Sequence, residues 1–144
     1  MHALGAAAVL AGVLMVAGCG ASSTPAATFT EIYPLIFPIE TKAQCNFCHG
    51  LPSNDKSNGK LSMGIDQPTA YAALMAISTS SMCGSGSGSA ARDLVVPGDA
   101  DNSLLFQKLT TPPCGGRMPL GGSPLTAAEL DQIRSWIEAG AKDD

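Results

Sequence analysis

The sequence is poor in rings and in positive charge, and it has almost no histidine. Four Phe, two Tyr and one Trp leave a core that leans on Leu, Ile and Ala. Lys and Arg together number 8 against 12 Asp and Glu, a formal charge of −4; that balance excludes non-specific nucleic-acid binding. Residues 1–18 hold no charged side chain, so the whole acidic excess belongs to residues 19–144. No alternating strand pattern is present, and no sheet is predicted. The only two histidines are His2 and His49. The length of 144 residues suits one small domain.

The single long apolar run, Ala3 to Ala17, is shorter than a membrane span. It ends in Val16-Ala17-Gly18-Cys19, small residues ahead of a cysteine, and reads as an export signal cleaved before Cys19. The segment resembles a bacterial lipoprotein lipobox, although Met1-His2 lacks the usual Lys or Arg. The resemblance implies that Cys19 becomes a lipidated N-terminus and holds the protein at a membrane. Gly20, in place of an acidic residue after Cys19, resembles outer-membrane sorting. The predicted organisation is a signal over 1–18, a polar tether over 19–27 and a domain over 28–144.

Cys45-Asn46-Phe47-Cys48-His49 is a C-x-x-C-H pentapeptide. That spacing is the attachment signature of c-type haem. Two thiols three positions apart on one helical turn can each form a thioether to a vinyl group of the same porphyrin. The imidazole that follows can then ligate the iron. A redox C-x-x-C would want a βαβ pattern and a zinc site a second close pair; neither is in the sequence. Of five cysteines, Cys83 and Cys114 remain after lipid and haem are assigned. Outside the cytoplasm two such thiols pair, so a Cys83–Cys114 disulfide is predicted.

Thr28 and Glu31 have capping-box spacing, with Ile32, Leu35 and Ile36 as the apolar face of a first helix. Pro34 should kink or shorten it and Pro38 should end it. Pro68 suits the start of a second helix over 70–77, with Tyr71, Leu74 and Ile77 on one side. Residues 84–89 alternate Gly and Ser as a flexible linker. Leu94-Val95-Val96 re-enters the core extended, and Asp101, Asn102 or Ser103 caps a short helix carrying Leu104, Leu105, the Lys108 stem and Leu109. The last helix is the clearest: Thr126 and Glu129 form a capping box, Leu130, Ile133, Trp136 and Ile137 form one stripe, and Gly140 stops it. The fold class is all-α, four or five short helices around one covalently bound haem.

With His2 in the signal, His49 is the only imidazole left, and the second iron ligand must come from elsewhere. Met63, Met75, Met82 and Met118 are the candidates. Met75 reads as helix packing and Met82 borders the linker. Met118 is favoured, because Gly115, Gly116 and Pro119 give it an extended loop far downstream of His49. A His/Met pair raises the reduction potential relative to two nitrogen ligands. Arg117 and Lys60 are candidates to pair with haem propionates.

The C-x-x-C-H, the distant Arg117-Met118-Pro119 and the closing Trp136-Ile137-Glu138-Ala139-Gly140 resemble a class I cytochrome c. Val96-Pro97-Gly98-Asp99 with Ser103-Leu104-Leu105 and the Met-Pro loop is similar to the planctomycete-type cytochrome c domains of bacterial surface lipoproteins. The resemblance covers residues 28–142. It implies first and last helices crossing beside the haem and a methionine loop supplying the sixth ligand. The prolines of the first helix and the Ser/Gly insert depart from that pattern.

Together these readings lead to an exported, membrane-anchored electron carrier, not an enzyme, facing the periplasm or held at the outer membrane. Its partners would be redox proteins, and its cofactor one haem c. A haem-based ligand sensor and a non-catalytic haem-carrying accessory lipoprotein are the competing functions. A peroxidase is disfavoured, since no second imidazole exists to handle protons.

Overall fold

The computed structural model describes residues 25–50, 61–76 and 92–144. Cys19, Cys83, Met82, Lys60 and the Ser/Gly linker lie outside the described residues. Five helices and no strand are present among the described residues: α1 (Phe29–Ile36), α2 (Cys45–His49), α3 (Gln67–Met75), α4 (Leu104–Leu109) and α5 (Ala127–Glu138). The protein is all-α to this extent.

The capping boxes form as the spacing predicts. The Thr28 hydroxyl accepts the Glu31 amide at 3.1 Å, and the Glu31 carboxylate accepts the Thr28 amide at 2.9 Å. Thr126 and Glu129 repeat the arrangement at the start of α5. Each box satisfies amides that a helix start leaves without partners. Helix α1 runs through Pro34 and ends at Ile36, ahead of Pro38.

The buried face of α1 is Phe29, Ile32 and Ile36, while Leu35 is exposed. The i, i+3, i+7 set wins because Phe29 enters the core one turn earlier than the Ile32–Leu35–Ile36 expectation allowed. Helix α3 begins one residue before Pro68, where the Asp66 carboxylate accepts the Thr69 amide at 2.9 Å. It ends at Met75, and Ile77 lies outside the described residues. At α4 the cap residue is Ser103, whose hydroxyl turns away from the helix start. It accepts the Val96 amide at 2.9 Å and donates to the Asp99 carbonyl at 2.8 Å. Phe106, absent from the expected apolar set, is buried beside Leu104 and Leu109.

One core joins these pieces. Helix α1 packs on α5 and on α3, and α4 packs on α5. Phe29 sits at the centre, 5.1 Å from Trp136, 5.4 Å from Tyr71 and 5.8 Å from Phe37 between ring centroids. Five of the seven aromatics, Phe29, Tyr33, Phe37, Tyr71 and Trp136, are thus gathered in one place. The C-terminal residues close over it. The Trp136 indole donates to the Lys142 carbonyl and the Tyr71 hydroxyl to the Ala141 carbonyl. Asp144 accepts the Phe29 amide through its carboxylate and the Thr30 amide through its backbone oxygen. Among the described residues, no helix is long and apolar enough to cross a membrane.

Candidate haem site

Helix α2 is the C-x-x-C-H pentapeptide itself. Gln44 precedes it in the left-handed region, with φ of 49°, which turns the chain sharply out of the segment after α1. The Asn46 amide donates to the Phe37 carbonyl at 2.9 Å, tying the start of the turn to the end of α1. One turn of helix brings Cys45, Cys48 and His49 together; both cysteines are free thiols and half-buried, as is His49.

The imidazole is fixed from outside the motif. His49 Nδ1 lies 3.1 Å from the Leu61 carbonyl. A carbonyl can only accept, so Nδ1 carries the proton and Nε2 holds the lone pair. A ring nitrogen presented in this way is what a metal-ligating imidazole needs. The next residues reinforce it, since the Met63 amide donates to the His49 carbonyl at 2.6 Å.

Beneath the turn, Asn46 is buried, and its amide nitrogen donates to the Tyr33 hydroxyl at 3.3 Å. That hydroxyl in turn donates to the Ile65 carbonyl at 3.0 Å. The Asn46 side-chain oxygen is left without a hydrogen-bond partner. Burial pushes the Cys45 thiol up to about 12, with the neighbouring Cys48 adding to the effect.

Met118 lies on the irregular segment between α4 and α5, half-buried against the same core that receives Cys45. Its amide donates to the Lys108 carbonyl at 2.7 Å. Lys108 also reaches the segment with its side chain, Nζ donating to the Cys114 carbonyl at 2.6 Å. Partial burial lowers the Lys108 pKa. Arg117, the propionate candidate, turns its guanidinium to the Met118 carbonyl at 3.3 Å. Cys114 is disulfide-bonded, and its partner lies outside the described residues. Of the other methionines, Met63 is buried in the core and Met75 packs at its edge.

The α2 residues suit a covalently held haem, with two free thiols and an imidazole of fixed tautomer on one helical turn, while Met118 sits on a separate glycine-bearing segment. Among the described residues no group of three or more His, Cys, Asp or Glu gathers as a metal cage, an arrangement that zinc would favour. Two surface hollows, of about 540 and 590 Å³, lie against α5 and are lined by no residue of α2. Sequence reasoning singled out the three α2 residues and Met118 as candidates. It missed Leu61, Tyr33 and Lys108, whose parts are played by a backbone carbonyl, a hydroxyl and a long reach that leave no spacing signal. No protein-family model matches the chain, and no curated protein or solved structure does.

Proposed function

We propose that this chain is an exported monohaem c-type cytochrome, anchored by lipid at Cys19, that passes single electrons between redox partners. The observation that carries the reading is α2. A C-x-x-C-H sequence folds there as one helical turn, with both thiols free and the imidazole held by the Leu61 carbonyl.

In this reading Cys45 and Cys48 hold the porphyrin by thioethers, and His49 and Met118 hold its iron. Haem iron, when bound, supplies a one-electron Fe(II)/Fe(III) couple, at a higher potential with a His/Met pair than with two nitrogens. The chain's own part is positional. Leu61 sets the imidazole, Phe37 and Tyr33 brace the turn, and α4 holds the segment that carries Met118. Two protein ligands leave no open position for a substrate, which favours electron transfer over small-molecule chemistry. The protein partners are met through a small transient interface, and the Cys83–Cys114 pairing closes the cysteine count.

The test is the visible spectrum of protein made with haem-attachment machinery, oxidised and reduced, with and without CO, for wild type and Met118→Ala. Wild type shows a weak sulfur-to-iron band at the red end and binds no CO; Met118→Ala loses the band and binds CO. Ready CO binding by wild type makes the protein a ligand sensor instead. Polypeptide carrying no covalent haem overturns the proposal.

A further inference from the structure

Lys108 holds the Met118 segment at two points, and only one of them needs its side chain. The backbone carbonyl of Lys108 accepts the Met118 amide at 2.7 Å, and Nζ donates to the Cys114 carbonyl at 2.6 Å. The segment that carries these points, residues 112–118, is rich in Pro and Gly. Pro112 and Pro113 have no amide hydrogen to donate, and Gly115 and Gly116 have the widest backbone freedom. Gly115 adopts φ of +60°, and a Cβ there would lie 3.3 Å from the Lys108 ammonium. The ammonium is therefore seated directly against the glycine at which the chain turns.

The lysine head is half-buried, and desolvating a charge is unfavourable unless a polar partner compensates. A methionine of similar length would pack there without that cost. What the charge supplies is a short charge-assisted hydrogen bond that fixes the peptide plane between Cys114 and Gly115. The disulfide acts through the Cys114 sulfur, whereas the hydrogen bond acts on its carbonyl.

We propose that Lys108 is the positioning residue of the iron-ligand loop: its ammonium on the Cys114 carbonyl and its carbonyl on the Met118 amide present the Met118 thioether to the haem iron. This inference rests on the reading that His49 and Met118 ligate that iron. Lys108 is not among the proposed ligands and acts through Cys114 and Met118. Loss of its ammonium leaves the Met118 amide tethered but lets the Cys114–Gly115 plane swing, so the thioether dissociates more often and an added ligand competes more readily.

The experiment uses the haem-loaded full chain, with imidazole as the competing ligand of the ferric iron. Lys108→Met removes the donor and keeps the stem; Lys108→Arg keeps a donor; Gly115→Ala disturbs the same contact from the other side. Lys108→Met should bind imidazole about tenfold more tightly than wild type, the change expected from losing a hydrogen bond to a charged group, and its sulfur-to-iron band should weaken. Gly115→Ala should shift in the same direction, and Lys108→Arg should return to within about threefold of wild type. A merely structural role would lower the unfolding midpoint and leave imidazole affinity unmoved in folded protein. Should Lys108→Met fail to accumulate, the Gly115→Ala and Lys108→Arg pair decides the matter alone. Unchanged affinity and an intact band in the variants, with Met118→Ala losing that band, overturns the role of Lys108 only. A wild type lacking the band overturns the His/Met reading itself and this inference with it.

Discussion

His49 Nδ1 and the Leu61 carbonyl oxygen stand 3.1 Å apart, so a residue well outside the C-x-x-C-H motif decides which nitrogen of the imidazole is left for a metal. In the reduced, haem-loaded protein this bond should protect one histidine Nδ1 proton from solvent. Nitrogen-15 NMR of histidine-labelled protein checks it: a slowly exchanging Nδ1–H is expected, and rapid exchange would mean that Leu61 does not hold the ring.

Gly64 lies in the same supporting segment. Its φ is +68°, and a Cβ there would collide with the Thr69 methyl. Gly121 has nearly the same backbone, φ of +70°, with nothing within 4 Å. Alanine at either position carries the left-handed penalty of about 1 kcal/mol, and only Gly64→Ala adds a collision with the first turn of α3. Urea unfolding should rank Gly64→Ala clearly below Gly121→Ala. Equal midpoints would show that Thr69 moves aside freely.

The Cys45 thiol, pushed up to about 12 by burial from an ordinary value of 9.0, should resist alkylation. At pH 8 its thiolate fraction is lower than that of an unburied thiol by roughly a thousandfold, and reactivity follows the thiolate. Iodoacetamide labelling of haem-free protein, read by peptide mass spectrometry, should leave Cys45 the slow site. Rapid labelling would show that the turn opens in solution.

Much of this architecture can be read from the residues, and the failures have physical reasons. The capping boxes at Thr28 and Thr126 are local, so spacing alone finds them. The α2 turn is legible for a different reason, because the C-x-x-C-H spacing is specific enough to stand out from the surrounding sequence. Leu35 reads as core and is exposed because the face of α1 depends on where Phe29 meets Trp136, a long-range fact. Phe106 escapes sequence reading in the same way: α4 is too short for periodicity to settle its face, and α5 settles it. Asp66 is hidden beside the louder signal of Pro68. The supports of the candidate site use carbonyls of Leu61, Ile65 and Lys108, and a carbonyl belongs to every residue, so no sequence pattern marks them.

Trp136 is 1 % exposed and packs on Phe29, with its indole bound to the Lys142 carbonyl. Replacement by alanine should cost about 3–5 kcal/mol, a large share of the about 5–15 kcal/mol that holds a small domain together. Trp136→Ala is expected to accumulate poorly and to lose cooperative unfolding. Trp136→Phe, which keeps a ring and loses the indole donor, should remain folded with a lower urea midpoint. A wild-type midpoint in Trp136→Ala would remove the α1–α5 crossing from the centre of the fold.

Acid should weaken the protein in a defined window. The Thr28 amide and hydroxyl hold the Glu31 carboxyl below its ordinary 4.5, and the Thr126 amide does the same for Glu129. Asp66 and Asp99 are held below 3.8 by the amide of Thr69 and the side chain of Asn102 respectively. Each folded value lies below the unfolded one, so the unfolded chain takes up protons first as pH falls. The stabilisation is complete above those ordinary values and is lost through the folded ones. Urea midpoints should therefore hold from neutral pH to about 5 and fall below about 4.5. Thr126→Ala should cost about 1 kcal/mol at neutral pH and flatten the acid limb, whereas an unchanged limb would mean that the cap carries no linkage.

Asp144 grips the first two amides of α1, and Ser135 takes the Ala27 amide at 3.3 Å. The segment entering the domain at Pro25 and the residues that end it are thereby bolted to one another across α1 and α5. Under the proposed anchoring at Cys19, this would set the path of mechanical load. A pull at Pro25 would run into the α1–α5 pair and be shared with the closing tail.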